Sequence, residues 1–306
     1  MAKSFYQKTG IAIEQIASDL FLLEVGDRIP NVSTFQEKYA LARGTVQNAL
    51  RYLKEEQAIE TISKGHLGTF LVHVDHGKLQ HFANADQLKG TMPLPYSKLY
   101  EGLATGVYLL FKKQRIKLSM AYIRGSEERI QAVREGVYDF AVTSRFAAEN
   151  VIQNHPELVI VKAFGKESYL SRHVLLLAEG NTEIQDGMRI GIDSDSLDHS
   201  VLTKTLVKDK RVELVEMPSN QLIYALREKQ IDAGIWNYDE IEDKQVGDLH
   251  YKDIEEEQYH QAMSEAVVIC RADRKMICSI CEKYLSTEKI REIQRMIKEG
   301  AMTPRY

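Results

Sequence analysis

At 306 residues the chain is long enough for two domains, each with a core of its own. A formal charge of −4, from 40 Lys and Arg against 44 Asp and Glu, excludes a polycation that would hold nucleic acid by bulk charge. Three cysteines, no apolar run of membrane-spanning length and acids within the apolar amino-terminal stretch predict a cytoplasmic protein with no signal peptide and no membrane partner.

Residues 8–23 put Ile11, Ile13, Ile16, Ala17, Leu20, Phe21 and Leu23 on one broad face, which predicts a helix closed by Gly26-Asp27. Beyond Pro30, Phe35, Tyr39 and Leu41 give a short apolar face. Val46, Ala49, Leu50 and Leu53 then recur at the three-and-four spacing of a second helix, so two helices joined near Ala40 and Leu41 are expected. The second opens on Ala42, Arg43, Gly44 and Thr45. From Lys38 to Lys54 the chain carries Lys38, Arg43, Arg51 and Lys54 and no acid. Over residues 1–75, however, eight Lys and Arg face nine Asp and Glu, so affinity for DNA would rest on where these cations sit. Ile59 and Thr61, a turn at 64–68, then Thr69, Phe70, Leu71 and Val72 predict a β-hairpin.

This stretch resembles the GntR family of bacterial winged-helix regulators. The residues that carry the resemblance are Ile29-Pro30, Arg43, Thr45-Val46, Ala49-Leu50, Leu53, Ile59 and Gly68-Thr69-Phe70. It implies a winged helix-turn-helix domain over residues 1–75 that binds double-stranded operator DNA as a homodimer. Arg43, Gly44, Thr45, Gln47 and Asn48 would then meet base edges or backbone, and Lys64, Gly65 and His66 would form the wing tip. The chain departs from the family at Ala42, where a serine N-cap is usual, and at Ser33 and Gln47, where two further arginines are usual. A helix-turn-helix core reused for protein contacts is the bland alternative.

Residues 76–91 lack periodicity and are expected to be a linker with room for one short helix, and His66, His73, His76 and His81 are read as solvated rather than metal-binding. From residue 92 the pattern alternates. A strand is expected at 92–96, a helix from Ser97 through Leu110, a strand at 116–123, a helix from Gly125 to Gly136 and a strand at 138–142. Residues 158–178 are strand-rich with antiparallel character. A second cycle follows: a strand from Met188, a helix at 196–208, a strand at 212–217, a helix at 219–229 and a strand at 231–236. The acidic stretch 239–257 reads as a solvated excursion, 266–270 as a strand, and 275–299 as helical. Cys270, Cys278 and Cys281 are read as buried thiols.

The order of elements resembles the type II periplasmic-binding-protein fold, and together with the amino-terminal match it resembles the YhfZ-type regulators. This implies an α/β two-lobed effector domain over 92–306, with lobe one about 92–184 and 262–306 and lobe two about 185–261. Ligands of such sheets gather outside the carboxyl ends of the strands. Four such ends carry small polar groups: Tyr96-Ser97, Gly125-Ser126, Thr143-Ser144-Arg145 and Asp193-Ser194. With Arg145 they would suit a small anionic effector, and Trp236 and Asn237 would form a wall; the alternative is that the serines and aspartates are only helix caps. No cofactor or metal motif is present. An enzymatic alternative would use Asp193, Glu127 and His199 for proton transfer, and a third reading is a cleft that has lost ligand binding.

Overall fold

The computed structural model describes residues 2–244, 249–254 and 257–306. It divides into two compact units, one running to Leu88 together with Gln114–Lys117, the other made of Lys89–Lys113 and Leu118–Tyr306.

In the first unit, α1 (Ala2–Phe21) buries Ala12, Ile16, Ala17, Leu20 and Phe21, a row at helical spacing. α2 (Val32–Tyr39) starts where the Asn31 side chain accepts the Thr34 N–H at 2.8 Å, and it buries Phe35. It ends at Ala40, whose left-handed φ of 53° turns the chain toward the next helix. α3 (Arg43–Glu55) sets Val46, Ala49 and Leu53 inward with no exposure at all. Ala42 adopts the extended N-cap conformation but offers no side-chain acceptor. β1 (Ile59–Ser63) and β2 (Thr69–Val74) pair antiparallel, from Ile59 opposite Val74 to Ser63 opposite Thr69. The return of this hairpin requires Gly68, since its φ is 105° and a Cβ there would lie 2.5 Å from Arg28 Nε. α4 (His76–Phe82) follows, capped by Asp75.

The second unit takes in all but the first residues of β3 (Gln87–Met92) and β4 (Lys117–Tyr122), with α5 (Lys98–Lys113) between them, then α6 (Ser126–Arg134), β5 (Phe140–Ser144), α7 (Arg145–Ile152) and β6 (Leu158–Ala163). Next come β7 (His173–Leu177), β8 (Arg189–Ile192), α8 (Leu197–Leu206), β9 (Glu213–Glu216), α9 (Leu222–Arg227), β10 (Ala233–Asn237), α10 (Tyr238–Lys244) and β11 (His250–Asp253). The chain returns through α11 (Glu257–Ser264) and β12 (Ala266–Arg271) and finishes with α12 (Lys275–Tyr284) and α13 (Thr287–Lys298). Two mixed five-stranded sheets result, in the orders β4-β3-β5-β12-β6 and β11-β7-β10-β8-β9. The βαβ units run parallel, as at β3 with β5 and at β8 with β9 and β10. The antiparallel strands are those on which the chain passes between lobes: β12 against β5 and β6, and β7 against β10.

Several expectations need correcting. The strand expected at 92–96 is β3 at Gln87–Met92, because Pro93 and Pro95 cannot donate to a ladder. The expected linker 76–91 holds, besides the short helix α4, most of β3. The strand-rich stretch 158–178 splits between the sheets, so lobe two starts at β7 rather than near residue 185. The acidic excursion contains α10 and the edge strand β11, while its residues 245–248 and 255–256 lie outside those described. The carboxyl-terminal helix breaks in two at Leu285, and Ser286 caps the second piece by accepting the Lys289 N–H. Cys270 and Cys281 are buried, Cys278 is half-buried, and all three are free thiols.

Candidate functional sites

The first candidate site is the outward side of α3 with the hairpin. Three helical positions turned to the core leave Arg43, Gly44, Gln47, Asn48 and Arg51 exposed on the opposite side, with Thr45 half-buried between them. Asn48 accepts from Arg51 Nη2 at 2.7 Å, so its amide N–H groups remain to donate outward. Lys64, Gly65 and His66 are exposed at the hairpin tip, where the Lys64 ammonium stands 4.8 Å above the Phe70 ring. Lys38 belongs elsewhere: it pairs with Asp19 at 2.6 Å and closes α2 on α1. Arg28, exposed beside Gly68 at the turn end of the hairpin, is a cation that reading only 38–54 overlooks.

The second candidate site lies between the lobes of the second unit, outside the carboxyl ends of β4, β5, β8 and β10. Here a cavity of about 100 Å³ is lined on one side by Tyr96, Tyr100, Arg124, Gly125, Ser126, Arg129, Ser144 and Tyr169. On the other side stand His173, Asp193, Asp198, His199, Ser219, Trp236 and Asn237. Arg124, two residues past β4, reaches across the gap. Its Nη1 donates to both oxygens of Asp193 at 2.9 and 3.0 Å, and its Nη2 to Asp195 at 2.5 Å. Burial would raise the Asp193 carboxyl, but bonds from the Ser219 N–H at 2.7 Å and from its hydroxyl, with the Arg124 guanidinium, hold it below the usual range.

Two more contacts join the lobes. The Ser144 hydroxyl caps α7 by accepting the Ala147 N–H at 3.1 Å and donates to Asp198 at 3.0 Å. The N–H of Leu197, first residue of α8, meets Ser126 Oγ, first residue of α6, at 3.4 Å. Gly125 permits this approach: its φ is 76°, and a Cβ would lie 3.0 Å from the Asp195 carbonyl oxygen. Burial pushes Asp198 up to about 7 against the Ser144 hydrogen bond and the charge of Arg129. Burial lowers the pKa of His199, against the pull of Asp193. Arg129 itself is 3% exposed, donating to the carbonyls of Val142 and Ile123 and to the Tyr169 hydroxyl.

Of the residues expected in this cleft, Tyr96, Gly125, Ser126, Ser144, Asp193, Trp236 and Asn237 meet at one cavity, whereas Ser97, Thr143, Arg145 and Ser194 do not line it. Ser97 accepts the Tyr100 N–H as a helix cap, and Thr143 is wholly buried in β5. Ser194 gives its N–H and hydroxyl to Glu216 at 2.8 and 2.7 Å. Arg145, expected to meet an anion, instead binds Glu265 at 2.5 Å and Glu149 at 3.2 Å. The cavity's cations are Arg124 and Arg129. Arg129 is detectable in principle, since it shares a helical row with Val133, and an arginine on a core-facing row calls for a buried partner. Glu127, one of the enzymatic candidates, is exposed at the start of α6, while Asp193 and His199 both reach the cavity.

Comparison with known proteins identifies the carboxyl-terminal part as a match to the family model of the YhfZ C-terminal domain over residues 75–306. The chain belongs to the YhfZ family. A helix-turn-helix domain model matches residues 24–71, so the YhfZ-type chain carries a domain of the DNA-binding kind ahead of its α/β part. YhfZ of Escherichia coli K12 is 27% identical over 306 residues, covering 100% of both chains. The crystal structure of YhfZ from Shigella flexneri is 29% identical with a TM-score of 0.62, covering 75% of this chain and 97% of its own. The periplasmic aliphatic sulphonate binding protein SsuA from Escherichia coli, 12% identical with a TM-score of 0.52 over 70% of this chain and 75% of its own, shares the fold alone. An ancestral arginine-binding protein does likewise, at 12% identity and a TM-score of 0.52, over 71% of this chain and 99% of its own. Among the described residues no helix is long and apolar enough to cross a membrane.

Proposed function

We propose that the protein is a GntR-like transcription regulator that binds operator DNA as a homodimer through α3 and the hairpin wing. Its two-lobed unit, in this proposal, senses a small molecule. The observation that carries the DNA-binding half is the division of α3, with Val46, Ala49 and Leu53 wholly buried and Arg43, Gly44, Gln47 and Asn48 exposed. Polar and cationic groups at the start of an exposed helix suit the major groove. Arg43 would pair with guanine, and the Asn48 or Gln47 amide with adenine. Lys64 and His66 would touch phosphate or minor groove, with Arg28 beside the wing's turn adding one phosphate contact. With few free cations, specific binding should show a shallow salt slope.

Two operator half-sites about one helical turn apart would fit a dimer. Fluorescence anisotropy on an operator selected from random or genomic DNA tests this directly. Arg43→Ala should weaken specific binding by about 1–3 kcal/mol and relax preference at one base pair. Unchanged affinity would remove Arg43 as a reader. Sensing is supported by the cavity at the strand ends, and its test is an operator affinity that changes when a cavity ligand is added, since a ligand shifts an equilibrium only through its unequal affinity for two states.

Catalysis is the second reading, favoured by one observation: Asp198, pushed up to about 7, accepts from the Ser144 hydroxyl beside Asp193 and His199. Yet Ser144 also caps α7, and the proton it shares goes to a carboxylate that holds the lobes together. Turnover of any cavity ligand would favour this reading over regulation.

A further inference from the structure

The polar groups around the cavity are unbalanced. On the acceptor side, Asp193 is occupied by Arg124 and Ser219, Asp198 by Ser144, and Glu240, a third carboxylate of the lining that is 6% exposed, has a partner as well. On the donor side, the indole Nε1 of Trp236 and the amide Nδ2 of Asn237 are buried without a hydrogen-bond partner, in residues only 4% and 6% exposed that both line the cavity. The other end of the Asn237 amide is occupied, because its Oδ1 accepts the Asp239 N–H at 2.9 Å and so fixes which way the NH₂ points. Arg129 uses three of its five N–H groups, on Val142, Ile123 and Tyr169. Buried donors left unmet are costly, and this cluster therefore asks for an acceptor from outside the protein.

We infer that the cavity binds a small oxyanion, a carboxylate, sulfonate or phosphate monoester, whose oxygens accept from Trp236 Nε1 and Asn237 Nδ2. This rests on the sensing reading above and specifies its ligand. The size is bounded by the cavity, whose volume of about 100 Å³ suits a small metabolite. Trp236 and Asn237 are consecutive residues at the end of β10, so lobe two offers the anion a preformed edge. Arg129, on the first lobe, supplies positive charge across the cavity without having to leave its own partners.

Trp236 is the chain's only tryptophan, so its emission reports on this site in the full-length protein. Titrations would use L-lactate, L-glutamate, ethanesulfonate and glycerol 3-phosphate, with glycerol and erythritol as neutral controls and ethanolamine and putrescine as cationic controls. At least one oxyanion should give a saturable change that the controls do not. Asn237→Asp keeps the cap on Asp239 but turns the donor into an acceptor, and it should weaken that oxyanion at least tenfold. Trp236→Phe, followed by calorimetry, should weaken it about tenfold while melting within a few degrees of the parent. A best ligand that is neutral or cationic would overturn the oxyanion assignment and leave sensing intact. Binding of the anion by both variants within twofold of the parent would overturn it equally. If no compound of any class saturates the signal, sensing falls and this assignment with it.

Discussion

The two candidate sites are built in opposite ways. The DNA-facing device is one contiguous piece of chain, in which α2, α3 and the hairpin follow one another between Val32 and Val74. The cleft is gathered from separate strand ends, and the contacts that close it span 54 residues between Ser144 and Asp198 and 69 between Arg124 and Asp193. A local device can be identified from spacing, because period and caps define it. A dispersed one depends on partners that no window of sequence contains.

The sharpest way to break this comparison is to damage one device and read the other. Leu53 is fully buried where α3 packs in the first unit, and Leu53→Ala should cost about 2–5 kcal/mol there. Operator binding in an anisotropy assay should be lost, while the emission and oxyanion affinity of Trp236, in the second unit, stay as they were. Loss of both together would mean that the two devices do not stand independently.

How much is legible in the sequence follows the same division. The buried face of α3, made by Val46, Ala49 and Leu53, can be read directly, because helical period is written in adjacent residues. The lack of a cap at Ala42 is equally plain. In the cleft, Gly125, Ser126, Ser144 and Asp193 stand out because strand-to-helix turns announce themselves with small and capping residues. Arg145 misleads because its partner Glu265 lies 120 residues further on. Arg124 escapes notice because nothing beside it in sequence shows that it bridges the lobes, and Arg129 betrays itself only by its row with Val133, without a hint of the partners it meets. The strands at 87–92 and 250–253 are hidden because an edge position and a few polar residues erase the alternation on which such a reading relies.

Asp198 offers a pH-dependent test of the dispersed site. Its folded pKa, about 7, lies above the ordinary aspartate value of 3.8, so the folded state binds the extra proton between those limits. Stability is then lost as pH rises from about 4 toward 7, and above 7 the loss levels off, at up to about 4 kcal/mol in total. Asp198→Asn should remove most of that slope, so denaturant midpoints of parent and variant should converge near pH 4 and separate at pH 8 with the variant more stable. Parallel curves would show that Asp198 ionises as freely as an exposed carboxylate.

The clasp across the lobes is worth less, because the Arg124 side chain is 37% exposed and solvent screens it. Arg124→Ala leaves Asp193 with the backbone N–H groups of Asp195 and Ser219 and the Ser219 hydroxyl, and should cost about 1–2 kcal/mol. Its clearer signature is conformational: the lobes should part, raising the radius of gyration measured by X-ray scattering of the ligand-free protein. No change in scattering or in melting temperature would mean that Ser144–Asp198 and Leu197–Ser126 suffice to keep the cleft shut.

The smallest effect belongs to the local device and can be argued from a single residue. Ala42 has φ −69° and ψ 146°, the extended geometry that an N-cap side chain needs, but only its carbonyl accepts from the first turn of α3, from Thr45 N–H at 3.0 Å, and its side chain offers no acceptor. Ala42→Ser supplies an acceptor without moving the backbone. Stability of the first unit should rise by about 0.5–1 kcal/mol, measured by chemical denaturation followed by circular dichroism. Operator affinity should change by less than twofold, since a better cap strengthens a helix already formed in the folded protein. A large gain in affinity would instead show that α3 is frayed until DNA orders it, and the contrast between a prebuilt local device and an assembled cleft would then need redrawing at the residue where α3 begins.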